Sequence, residues 1–200
     1  MLSVRQRVVK RGFDIFFSFF GLILSSWIIF LAWIVATLDT KSNGFFIQKR
    51  VGKDAKLFSL FKIKTMRKIE GLESSVTTAH DQRITKSGAF FRRTKIDELP
   101  QLLNVLFGDM SFVGPRPDVE GYADKLEGED RVILSVRPGI TGVATLKYRD
   151  EERILAEVDN PKEYNDTVIW KDKVALNKEY IQNYSFFKDI EYLIETVKGR

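Results

Sequence analysis

From Ile15 to Leu38 the chain carries no charged residue, a run of 24 residues dominated by Phe, Ile, Leu, Trp and Val. As a helix it would be about 36 Å long, enough to cross a hydrocarbon layer of about 30 Å. It is too long for the apolar part of a typical secretory signal, and no small-residue cleavage site follows it. A membrane-embedded segment is therefore expected. Its flanks carry the topological information, because Lys and Arg are enriched on the cytoplasmic side. Arg5, Arg7, Lys10 and Arg11 precede the run. Over residues 41–68, Lys41, Lys49, Arg50, Lys53, Lys56, Lys62, Lys64, Arg67 and Lys68 follow it, with Asp54 as the one acid in that stretch. A spanning helix would export one of these basic flanks. A re-entrant hairpin keeps both inside but needs a break, and Ser25-Ser26 lies near the midpoint, where hydroxyls can satisfy exposed backbone groups. Charge and length alone leave both topologies open.

Chemistry is limited by what is missing. The chain has no cysteine and a single histidine, His80, in a net charge of +5. Thiolate metal sites, multi-histidine sites and a Ser-His-Asp triad are disfavoured. Carboxylates, lysines, arginines and a hard cation remain.

Phe45–Val51 and Lys56–Lys64 read as the strands of a hairpin turned by Gly52-Lys53-Asp54-Ala55. Residues 67–88 are polar and read as a loop containing His80, with a short helix leading to Arg92-Arg93. Next comes Asp97-Glu98-Leu99-Pro100-Gln101-Leu102-Leu103-Asn104-Val105-Leu106. Leu99, Leu102, Leu103 and Leu106 share one helical face. On spacing alone Asp97 is an N-cap, Glu98 complements the helix dipole and the leucines are core. Pro115-Arg116-Pro117 places an arginine on a stiff turn suited to gripping phosphate. Arg137-Pro138-Gly139 repeats the idea, with glycines that permit close approach. Helices are expected from Asn160-Pro161, from Trp170 and over Phe186–Val197.

Taken in order, Lys10-Arg11-Gly12-Phe13-Asp14, Gln48-Lys49-Arg50-Val51-Gly52, Phe61-Lys62-Ile63-Lys64-Thr65-Met66, Asp97-Glu98-Leu99-Pro100-Gln101-Leu102, Asn104 through Pro117, and Arg137-Pro138-Gly139-Ile140-Thr141-Gly142 resemble the bacterial sugar transferase family. These are the small monotopic phosphoglycosyl transferases. The resemblance implies an α+β, mostly helical fold: a re-entrant membrane helix over residues 1–40, then a cytoplasmic interfacial domain over 41–200 with a small β-hairpin and amphipathic helices. It implies transfer of a sugar 1-phosphate from a UDP-sugar to polyprenol (undecaprenyl) phosphate at the bacterial inner membrane, with release of UMP. It further implies Mg2+ and a catalytic Asp-Glu pair matching Asp97 and Glu98, which are also the expected metal ligands, with Asp97 as the nucleophile of a covalent intermediate. Lys62, Arg92, Arg116 and Arg137 are the expected phosphate or substrate contacts. The family's helix break is usually Ser-Pro, whereas this chain has Ser25-Ser26. A membrane-anchored adaptor without enzymatic activity would explain the basic belt but not residues 97–117. A nucleic-acid partner is not expected, because acids populate the chain after residue 117.

Overall fold

The computed structural model describes residues 2–68 and 81–199. His80 and most of the expected loop lie outside the described residues.

Helix α1 runs without interruption over Val4–Thr40, about 55 Å. Ser3 caps its start in a reciprocal capping box with Gln6. Helical geometry continues through Ser25-Ser26, whose hydroxyls turn back onto the carbonyls of Gly21 and Ile23. The residues of α1 that are buried are Lys10, Asp14, Ser18, Ser25, Ala32 and Ala36. They are spaced by four or seven, so they form one stripe. The opposite face exposes Phe16, Phe20, Ile23, Leu24, Trp27, Leu31 and Leu38. This is the reverse of a helix in a water-soluble protein: the small and polar stripe meets protein, and the large apolar side chains face out.

The buried stripe lies against the rest of the chain along its length. Near its start, Lys10 pairs with Asp189 at 2.5 Å, and Arg11 donates to the carbonyls of Val105 and Leu106. Asp14 accepts from the Ser111 hydroxyl and the Phe112 N–H. Near its end, Ala32 and Ala36 pack with Ile63 and Phe91, and Asp39 bonds Arg67 and Ser87.

Strands β1 (Phe45–Val51) and β2 (Leu57–Ile63) form the expected antiparallel hairpin, with Phe45 opposite Ile63 and Val51 opposite Leu57. Helix α2 (Lys86–Thr94) starts at a Thr85 cap and ends at Lys95 in the left-handed conformation. A single 3-10 turn (Ile96–Glu98) leads to α3 (Gln101–Phe107). Here the structure departs from the sequence reading. Asp97 caps no helix, because α3 begins at Gln101 after Pro100, with no side-chain cap. The leucine face of α3 packs inward, as core positions should: Leu102 lies against Gly21 of α1, and the adjacent Val105 is fully buried with Phe58, Leu60 and Met110.

Strands β3 (Ser111–Val113) and β4 (Gly139–Thr141) pair in parallel. The close approach expected of the glycines here is to backbone. A Cβ on Gly139 would lie 2.2 Å from the Gly114 nitrogen, and one on Gly114 would lie 2.6 Å from the Arg137 carbonyl oxygen. The remaining helices are α4 (Val143–Lys147), α5 (Glu151–Ala156), α6 (Pro161–Tyr164), α7 (Trp170–Gln182) and α8 (Phe186–Lys198). A π-helical turn over Asn165–Ile169 joins α6 to α7. Val174, Tyr180 and Ile181 of α7 build the main core with Val51, Val113, Ile133 and Leu134.

Candidate active site

Lys95 sets the site up. Its left-handed backbone, φ 60°, is unusual for a residue with a side chain. It stops α2 and turns the chain into the 3-10 turn that buries Asp97. The Asp97 residue is 6% exposed, and its Oδ1 has no hydrogen-bond partner. Burial pushes its carboxyl above the usual aspartate range, and Glu98 adds to that, while Lys62, Arg92 and Lys95 pull the other way.

Glu98 is held. Its Oε1 accepts from Lys62 Nζ at 3.1 Å and from Arg116 Nη2 at 3.2 Å. Burial acts to raise its carboxyl, but Lys62, Arg116 and Lys95 outweigh this and hold it well below the usual glutamate range. Lys62 is lowered by burial and next by Arg116, against the pull of Glu98. Arg116 is raised, chiefly by Glu98. The side chains of Lys62 and Glu98 are mostly buried, whereas that of Arg116 is 43% exposed and so accessible to a ligand.

The structure thus gathers Lys62, Asp97, Glu98 and Arg116, with Arg92 close enough to act on Asp97. Arg92 itself bonds Glu152 of α5. Arg137 stands apart: its Nε donates to the Gly108 carbonyl at 2.6 Å, beyond the C-terminal end of α3, where Arg11 also binds carbonyls. In this structure it braces a helix end.

Two supporting residues were not singled out from sequence. Asn104 is fully buried on α3, donates to the Ser59 carbonyl at 2.7 Å and accepts from the Phe61 N–H at 3.1 Å. It fixes β2, and so Lys62, against the turn that carries Glu98. Its signal was an amide within the otherwise apolar stretch Leu102–Phe107. Arg50 donates to the Pro117 carbonyl, while Val51 N–H donates to the Asp118 carbonyl. The Gln48–Gly52 stretch therefore braces the Pro115-Arg116-Pro117 turn. Burial and the neighbouring Arg116 push Arg50 down to about 10, and burial pushes Asp118 up to about 6 despite Lys173, Arg50 and Arg116.

Such a constellation, a buried Asp beside a Glu clamped by Lys and Arg, serves anion chemistry in any family. Comparison with known proteins decides which. The family model described as bacterial sugar transferase matches residues 5–199. The chain belongs to the bacterial sugar transferase family. Its relatives within that family include the uncharacterized sugar transferase EpsL of Bacillus subtilis, 36% identical over 96% of this chain and 86% of the relative. The UDP-glucose:undecaprenyl-phosphate glucose-1-phosphate transferase of Escherichia coli is 35% identical over 98% of this chain but 41% of its own length. The undecaprenyl-phosphate galactose phosphotransferase of Salmonella typhimurium is 31% identical over 96% and 40%.

Proposed function

We propose that this sugar transferase moves a sugar 1-phosphate from a UDP-sugar to undecaprenyl phosphate through an aspartyl intermediate, on the cytoplasmic face of the bacterial inner membrane. The observation that carries the reading is the contrast between two adjacent buried carboxylates. Glu98 is occupied by two cations, whereas Asp97 has an oxygen that no protein group holds. An unheld carboxylate oxygen is a nucleophile without a competing partner.

In the first displacement Asp97 attacks the phosphorus attached to the sugar. The bond from that phosphorus to the bridging oxygen breaks, and UMP leaves with its electron pair. In the second, an oxygen of undecaprenyl phosphate attacks the same phosphorus and the aspartyl–phosphorus bond breaks, which restores Asp97. Lys62, Arg92 and Arg116 offset the negative charge that the two phosphates bring together. Glu98 keeps Lys62 and Arg116 aimed at that charge.

The donor set suits Mg2+. Two neighbouring carboxylates, one with an unpartnered oxygen, match an ion that takes one or two carboxylates and completes its shell with substrate phosphates and water. No cluster of three or more Asp, Glu, His or Cys suited to a metal occurs among the described residues. Asp97 and Glu98 would hold the ion, which would neutralise diphosphate charge.

The membrane arrangement we propose keeps both ends of α1 on one side of the bilayer, not spanning it. Both ends of α1 are tied to one folded body, through Lys10, Arg11 and Asp14 at the start and Asp39 at the end. A body resting on one leaflet cannot grip both ends of a helix that crosses the bilayer. The outward Phe, Leu, Ile and Trp side chains of α1 then meet lipid, as do Phe187 and Val197 of α8.

Two measurements test this. With Mg2+, undecaprenyl phosphate and a broad panel of UDP-sugars, the detergent-solubilised protein is expected to release UMP with at least one donor. Folded protein that releases none with any donor overturns the assignment. Because the chain has no cysteine, single cysteines at Ser3 and Ser42 report topology cleanly. Both are expected to react with an impermeant thiol reagent from the cytoplasmic side only, and labelling from opposite sides would mean a spanning helix.

A further inference from the structure

Arg92 is the cation of the site whose partner comes from outside the family motifs. It bonds Glu152, in the first turn of α5. The segment before Glu152 is stitched to α7. Lys147 pairs with Asp172 at 2.6 Å, Tyr148 donates to Asp172 at 2.7 Å, and Glu151 pairs with Lys173 at 2.7 Å. Glu152 alone of these reaches across to α2.

We propose that Glu152 is a positioning residue that acts through Arg92: it occupies the guanidinium while the donor is absent and yields it to the diphosphate when the donor binds. This rests on the reading of Arg92 as a phosphate contact. Carboxylate and phosphate each offer anionic oxygens that a guanidinium fork can bind, so one can take the place of the other on Arg92. The two glutamates that hold the site's arginines differ in the way such an exchange requires. The Glu98 side chain is 11% exposed and bonded by two cations, so drawing Arg116 away from it would cost a buried carboxylate one of its counter-ions. The Glu152 side chain is 44% exposed, so it returns to water at little cost. Glu152 therefore keeps Arg92 ordered in the empty site, competes with the incoming diphosphate, and recaptures Arg92 when UMP departs.

The test uses UDP, titrated in detergent with Mg2+ into wild-type protein and into Glu152→Gln and Arg92→Ala variants. Glu152→Gln removes the competing charge and is expected to tighten UDP binding about 2–5-fold, the span of a partly exposed ion pair. Arg92→Ala is expected to weaken it. A Glu152 that merely stabilises the fold, or is needed to orient Arg92, gives unchanged or weaker UDP binding on Glu152→Gln. That result, alongside a weakened Arg92→Ala, overturns the proposal and leaves the phosphate reading of Arg92 standing. An Arg92→Ala variant that binds UDP as wild type does, or wild-type protein that binds none, removes the underlying reading and the proposal with it. Hydrogen exchange supplies a second readout. UDP is expected to speed exchange of the amides over residues 151–156 in wild type while slowing it around Asp97, and unaltered exchange over 151–156 would speak against displacement of Glu152.

Discussion

An Asp97→Asn variant is expected to lose at least about 10³-fold in UMP release while folding as well as wild type or better. The two halves of this result have separate causes. Asparagine is close to isosteric but cannot form the acyl phosphate, so the covalent route closes. Stability goes the other way, because burial and the neighbouring Glu98 already oppose the charged form of Asp97. Removing a buried charge that the fold disfavours costs it little, and active sites commonly hold such locally unfavourable groups. If Asp97 acted only as a helix cap, asparagine, an equally good cap, would leave both stability and activity largely unchanged. Turnover within tenfold of wild type would refute the nucleophile.

That contrast also marks how far the sequence could be read at this point. The adjacent Asp-Glu pair, Lys62 and Arg116 are legible as a set because the family motifs place them, and the fold brings them together. What local spacing could not supply was the backbone between them. The apolar periodicity from Leu99 suggested a helix starting at Asp97. Lys95 in the left-handed region and Pro100 instead insert a tight turn, and α3 starts four residues after Asp97. Left-handed lysines carry no reliable sequence signature. Arg137 resembles Arg116 in sequence, each being next to proline. The pairing of β3 with β4 gives them different partners: the Arg137 segment is threaded against Gly114 and its guanidinium ends on the Gly108 carbonyl, whereas Arg116 reaches Glu98. Parallel pairing of segments more than twenty residues apart has no local signal.

The apolar run was legible as a membrane element, but its inner organisation lay in its exceptions. Attention to Ser25-Ser26 as a break missed that Lys10, Asp14, Ser18, Ser25, Ala32 and Ala36 share one stripe. Read at helical period, the polar and small residues of this run describe a surface that binds protein. The same stripe explains why α3 turns its leucines toward α1. A small-residue groove is open there, with Gly21 under Leu102.

The second large effect is expected at the start of that stripe. Asp189→Leu should lower stability by about 3–5 kcal/mol, measured by denaturant or thermal unfolding in detergent. Asp189 is 3% exposed and joins residues 179 positions apart. It accepts from Lys10 Nζ at 2.5 Å, from Tyr180 at 2.7 Å and from Tyr184 at 3.2 Å. Removing it leaves the Lys10 ammonium buried without a counter-ion and two tyrosine hydroxyls without their acceptor. The penalty belongs mostly to the stranded charge, so Lys10→Met in the same chain is expected to recover much of the loss, even though two polar groups have then become apolar. A single variant as stable as wild type would mean that Lys10 escapes to water, and that the start of α1 is held by Arg11 and Asp14 alone. A double variant no better than the single would place the cost in the tyrosine network. If the pair behaves as expected, the ionic contact contributes register more than energy. It fixes which turn of α1 meets α8 where apolar packing alone would allow the helix to slide, and with it the height at which the Asp97–Glu98 turn sits above the bilayer.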